Sequence, residues 1–129
     1  MSNKHTTSLR GFKDILPEDL HHYYSIEKVL KNITNSYSIN ELRTPILEST
    51  NVFDKSLGSQ TDIVTKEMYV FNDKNSESVC LRPEGTSSIV RSVIENNLIY
   101  DRGIKKRKYW YYGPMFRYCL LYTSPSPRD

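Results

Sequence analysis

The hexapeptide Leu81-Arg82-Pro83-Glu84-Gly85-Thr86 constrains the chain most, because it has to end a β-strand and begin a helix within a few residues. Pro83 fixes its own φ and biases Arg82 toward extended backbone, so a helix cannot run through this point. Gly85 allows a ligand or a neighbouring chain segment to approach the backbone closely, and Thr86 suits a helix N-cap. The N-terminal end of a helix favours negative charge. An ionised carboxylate beside a hydroxyl is a receptor for an ammonium group. Glu84, Gly85 and Thr86 are therefore candidate binding residues for a small molecule. The same six residues also suit a capping turn that binds nothing.

The sequence before this corner has the pattern of a helix followed by short strands. Pro17 sits well in a first helical turn, Glu18 and Asp19 complement the helix dipole, and Asp14 or its turn neighbours can cap. Tyr23, Ile26, Leu30, Ile33 and Tyr37 recur at spacings of three and four, which predicts a core-facing helix of about twenty residues. Ile39 to Glu48 reads as a short extended segment. Its Pro45 cannot donate to a sheet ladder and must lie on an edge, at a strand end or against another subunit. Thr50 can cap a short helix through Val52, Phe53 and Leu57 that Gly58 ends. Glu67 to Phe71 and Ser78 to Arg82 are strand-like runs around a turn-rich Asn72–Ser76 connection, which suggests a hairpin. Beyond Thr86, Ile89, Val90, Val93, Ile94 and Leu98 predict a helix packed on the sheet, with Arg91 and Glu95 as an i, i+4 pair.

The last patterned stretch is Tyr109-Trp110-Tyr111-Tyr112-Gly113-Pro114-Met115-Phe116-Arg117. It reads as an aromatic, buried strand that delivers Arg117 at its far end, where a guanidinium can grip a phosphate or carboxylate in bidentate fashion. An ordinary surface arginine after a core strand fits the same residues. Just upstream, Arg102, Lys105, Lys106, Arg107 and Lys108 form either a surface for RNA phosphates or a solvated loop.

Composition excludes several classes. The chain is one domain long at 129 residues, and no apolar run approaches a membrane span. The net charge of +3 is too small to argue for nucleic acid by itself. The amino terminus lacks the apolar core of a signal peptide and the arginines of a transit peptide, so a cytoplasmic location is expected. Cys80 and Cys119 offer neither metal-ligand spacing nor a disulfide framework. His21 and His22 fall early in the first helix with no further ligands, and no metal site is assigned. No dinucleotide or P-loop glycine motif is present.

Taken together, the Leu81–Thr86 corner, the Tyr109–Arg117 stretch and the segment Arg10-Gly11-Phe12-Lys13-Asp14-Ile15-Leu16-Pro17-Glu18-Asp19 resemble the histidyl-tRNA synthetases, which are class II aminoacyl-tRNA synthetases. The resemblance runs from about Leu9 to Tyr118. It implies an α+β fold, part of a class II catalytic domain, with an antiparallel sheet flanked by helices. It also implies histidine, ATP, Mg²⁺ and the cognate histidine tRNA as substrates and cofactors. Glu84, Gly85 and Thr86 would receive the histidine ammonium group, and Arg117 would contact the α-phosphate and the histidine carboxylate. Tyr23 to Pro45 resembles the first class motif, so Pro45 is expected in a homodimer interface. Two alternatives share the scaffold: a synthetase-like regulatory subunit of histidine biosynthesis, whose members tend to lack the Glu-Gly-Thr triplet kept here, and a non-catalytic RNA-binding or dimerisation module.

The resemblance stops at Tyr118. Residues 1–8 are polar and expected to be disordered, and 9–118 carry the partial catalytic domain. Residues 119–129, Cys119-Leu120-Leu121-Tyr122-Thr123-Ser124-Pro125-Ser126-Pro127-Arg128-Asp129, resemble one reading frame of a transposase adapter used in sequencing libraries and are expected to be an artefactual tail. The rest of the second class motif, the third motif, the histidine-selecting segments and the anticodon-binding domain would then be missing. Such a fragment is expected to be inactive and prone to aggregate through its unpaired sheet edge.

Overall fold

A computed structural model describes residues 5–99 and 106–118. Arg102, Lys105, Cys119, the 119–129 tail and the first four residues lie outside the described residues. The chain divides into two compact units, Met1–Ile39 and Asn40–Asp129.

In the first unit, Gly11 turns the chain at a φ of 85°, and the Phe12 amide donates to the Leu9 carbonyl at 2.9 Å. Helix α1 then runs over Pro17–Ser36, twenty residues, with Pro17 at its first position and Glu18 and Asp19 in its first turn. Its N-cap is Leu16, and neither Asp14 nor any other side chain caps it. Proline there removes one of the orphan amides, so less is lost by leaving the end uncapped. The expected core-facing stripe is not buried: Tyr23, Ile26 and Ile33 are exposed, and Thr34 is the buried residue of the helix. The period identified which residues share a face; it could not supply a surface to cover that face. Among the described residues, no helix is long and apolar enough to cross a membrane.

The second unit contains the sheet structure. Strand β1 (Asn40–Glu41) pairs in parallel with β5 (Tyr109–Trp110). Strands β2 (Leu47–Ser49), β4 (Ser78–Leu81) and β3 (Val70–Asn72) form an antiparallel sheet in the order β2-β4-β3, with Glu48 and Val70 both opposite Cys80. The β3–β4 hairpin is held by Asp73, whose Oδ1 accepts the amides of Asn75 at 2.8 Å and Glu77 at 2.9 Å. Pro45 is exposed in the link between β1 and β2, outside either ladder. The aromatic stretch expected as a long buried strand contributes only the two residues of β5, and Tyr111 and Tyr112 beyond it are exposed. The strand ends at Trp110, ahead of Gly113-Pro114, whose proline has no amide to rejoin a ladder.

Helix α2 (Thr50–Leu57) follows β2 directly and ends at Gly58, whose φ of 89° suits glycine. Thr50 is its first helical residue and Ser49 its cap position. The Thr50 hydroxyl instead shares a 2.8 Å hydrogen bond with Ser78. A single π-helical turn, Ile63–Glu67, precedes β3. Helix α3 (Thr86–Glu95) packs chiefly on α2, with Ser56 and Ser87 joined hydroxyl to hydroxyl. It buries Ser87 and Ser88 rather than its aliphatic stripe: Val90 and Ile94 are exposed.

Phe53 and Cys80 form the small apolar core of this unit, both fully buried. Beside them the Glu48 carboxylate, 5% exposed, accepts a 2.8 Å hydrogen bond from Arg91 Nη2, and Arg91 Nη1 donates to Glu95 at 2.5 Å. This ion pair ties α3 to β2. The hydrogen bond to Glu48 raises the Arg91 pKa further above its ordinary value, against the opposing effect of burial.

Candidate functional site

The corner after β4 is locked from both sides. The Glu84 carboxylate folds over the start of α3: Oε2 accepts the Thr86 amide at 2.5 Å and Oε1 the Ser87 amide at 3.0 Å. Glu84 therefore caps the helix, where Thr86 was expected to. Gly85 occupies the cap position and Thr86 is the first helical residue. A carboxylate has about four acceptor sites, so two amides leave capacity for a further donor. This frees the Thr86 hydroxyl, which shares a 2.8 Å hydrogen bond with the phenol of Tyr111.

Tyr111 also explains Gly85. A Cβ on Gly85 would collide with the Tyr111 ring, lying 2.6 Å from Cδ2 and nearer still to Cε2. The close approach that glycine permits is thus made by a neighbouring chain segment. Sequence reasoning did not single out Tyr111, since its role depends on a residue distant in the chain.

Arg117 reaches the same corner. Its Nε donates to the Pro83 carbonyl at 3.0 Å, and the Phe116 amide donates to the Arg82 carbonyl at 2.9 Å. Pro83, Glu84, Gly85, Tyr111, Met115 and Arg117 line an open cleft of about 510 Å³. It thus has one acidic and one basic lining residue, Glu84 and Arg117, and Tyr111, another lining residue, holds the Thr86 hydroxyl. That arrangement suits a zwitterionic ligand: the carboxylate and hydroxyls can receive a cation, and the guanidinium an anion. The structure thus brings Glu84, Gly85, Thr86 and Arg117 together and leaves Pro45 apart from them. A mostly apolar groove of about 620 Å³ runs between α2 and α3, past Val52, Leu57, Val90 and Ile94.

Comparison with known proteins gives this cleft a lineage. A family model described as histidyl-tRNA synthetase matches residues 11–119. The chain is 50% identical over 116 residues to the histidine–tRNA ligase of Buchnera aphidicola subsp. Schizaphis graminum, covering 90% of this chain and 26% of that protein. It is 47% identical over 118 residues to the histidine–tRNA ligase of Halorhodospira halophila, covering 92% of this chain and 27% of that protein. The chain thus spans about a quarter of the length of the curated relatives it matches. Among solved structures, the apo histidyl-tRNA synthetase of S. aureus superposes with a TM-score of 0.75 at 40% identity, over 88% of this chain and 26% of that one. A Bacillus halodurans protein described as an ATP phosphoribosyltransferase regulatory subunit/histidyl-tRNA synthetase shares the fold, with a TM-score of 0.69 at 21% identity over 86% of this chain and 27% of that one. With its strand-to-helix corner, its α+β architecture and a family match across most of its length, the chain belongs to the histidyl-tRNA synthetase family.

Proposed function

We propose that this chain is part of the catalytic domain of a histidine–tRNA ligase, and that its cleft binds histidine and the α-phosphate of ATP. The observation that carries the reading is that Glu84 and Arg117 line one cleft. In the first step the histidine carboxylate attacks the α-phosphate, histidyl-adenylate forms and pyrophosphate leaves. In the second the histidyl group moves to the 3′ end of the cognate tRNA.

The difficulty of the first step is electrostatic, because two anions must meet and the transition state gathers negative charge on phosphorus-bound oxygens. Glu84 holds the ammonium end of histidine, with the Thr86 hydroxyl as second acceptor. Arg117 draws the carboxylate and the α-phosphate together and neutralises the charge that develops. None of these groups is a nucleophile. Among the described residues no group of three or more His, Cys, Asp or Glu side chains could hold a metal ion, and Glu84 is the only carboxylate lining the cleft, so the residues present do not fit a magnesium site.

The exposed apolar face of α1 and the exposed Pro45 each suit a further part of the reading, a homodimer. The test is histidine-dependent ATP–pyrophosphate exchange by the full-length protein. Arg117→Ala should slow exchange by about a hundredfold or more, as loss of other groups that stabilise transition-state charge does. A near-normal rate in that variant rules out the assignment.

A further inference from the structure

Arg82, which precedes the corner, is nearly buried at 7% exposure, yet among the described residues it forms no ion pair. Its polar atoms go to two other parts of the chain, around Thr44–Ile46 and Pro114–Phe116. Its amide donates to the Ile46 carbonyl at 2.9 Å, and its own carbonyl accepts the Phe116 amide at 2.9 Å. Its Nε donates to the Pro114 carbonyl at 3.0 Å, and Nη1 to the Thr44 carbonyl at 3.1 Å and hydroxyl at 3.3 Å. Gly113 completes the enclosure, since a Cβ there would lie 2.6 Å from Nη2.

The acceptors explain why a charged residue is buried here. Thr44 and Pro114 lie in segments outside the β-ladders, so their carbonyls lack strand partners. A planar fork with donors on both sides can satisfy two chain segments at once and fix the distance between them. One of those segments is the three residues leading to Arg117; the other end of the brace is the backbone leading to Glu84.

Building on the proposed ligase reading, we infer that Arg82 is a positioning residue: it sets the spacing between the ammonium receptor at Glu84 and Thr86 and the anion-binding guanidinium of Arg117. It touches neither histidine nor ATP. Its contribution is alignment of the reacting carboxylate with the α-phosphate, which governs turnover more than affinity.

Two variants of the full-length protein test this. Arg82→Lys keeps the charge but offers its donors from a single point, so it cannot span Pro114 and Thr44 as the fork does. Gly113→Ala keeps Arg82 and displaces its guanidinium. Histidine-dependent ATP–pyrophosphate exchange is measured alongside a single-turnover adenylate burst that counts active sites, so lost fold is separated from lost alignment. Both variants should lower kcat per active site by roughly tenfold to a hundredfold, the scale expected for a small misplacement of reacting groups. KM for histidine should change only several-fold. Unchanged kcat per active site in either folded variant overturns the inference, and so does a rise in histidine KM with kcat intact. Absence of histidine-dependent exchange in the wild-type protein overturns the ligase reading itself, and this inference with it.

Discussion

The ion pair between β2 and α3 should respond very differently to removal of its two members. Glu48 is 5% exposed and the described structure gives its carboxylate one cation, Arg91; Arg91 is 29% exposed and has a second carboxylate in Glu95. Arg91→Met strands a buried carboxylate, which costs about 3–5 kcal/mol. Glu48→Gln leaves Arg91 an amide oxygen and Glu95, and the loss is the difference between a charge-assisted and a neutral hydrogen bond, about 1 kcal/mol. The pair links α3 to the sheet, so both effects should appear in the local opening of that helix. Native-state hydrogen exchange at the amides from Ile89 to Val93 in the full-length protein reads that opening directly. At about 1.4 kcal/mol per tenfold, Arg91→Met should speed exchange by more than about a hundredfold and Glu48→Gln by only about fivefold. Glu48→Leu combined with Arg91→Met should recover most of the loss, since an apolar pair leaves no charge unpaired. Equal effects from the two single variants, or an Arg91→Met effect below about tenfold, refute the argument that burial of Glu48 sets the asymmetry.

Two other substitutions follow from the same packing. Gly85→Ala drives a methyl group into the Tyr111 ring and should destabilise by about 1–3 kcal/mol, seen as a lower Tm, with Tyr111→Ala in the same background recovering most of it. Burial, with help from the nearby Glu48 and Asp54 carboxylates, raises the Cys80 thiol from 9.0 to about 11. Because the folded-state value is the raised one, the stability that this thiol contributes is complete below pH 9.0 and is lost as pH climbs through about 11. Urea midpoints measured across that window should fall in the wild type and fall less in Cys80→Ala.

What could be seen in the sequence was whatever short-range chemistry decides. Pro17 and Gly58 carry conformational restrictions that act on the spot, so the start of α1 and the end of α2 stood where expected. Asp73 and its neighbours likewise built the hairpin turn. The cap of α3 was harder, because Glu84, Gly85 and Thr86 can each serve that end and only the folded geometry selects the carboxylate. Burial was legible least. The stripes of α1 and α3 were recognisable by period, but a period carries no information about what lies opposite: most of the α1 stripe is exposed, and the α3 stripe is split between exposed Val90 and Ile94 and half-buried Ile89, Val93 and Leu98. The site shows the same division. Glu84, Gly85 and Thr86 announced themselves as consecutive residues, whereas Tyr111 and Arg82 act through partners far along the chain.

The parallel pairing of β1 with β5 joins the beginning of the second unit to its far end, while the Glu84 cap and the β3–β4 hairpin need only near neighbours. Closing a long stretch of chain costs more entropy than closing a turn and is slower to be repaid. Half of the cleft can therefore take shape during synthesis as soon as α3 has emerged, whereas Arg117 arrives only with the last strand. A nascent chain paused between the two would hold the Glu84 carboxylate without the Arg117 guanidinium, so the order in which the ribosome delivers the segments is also the order in which the pocket acquires its charges.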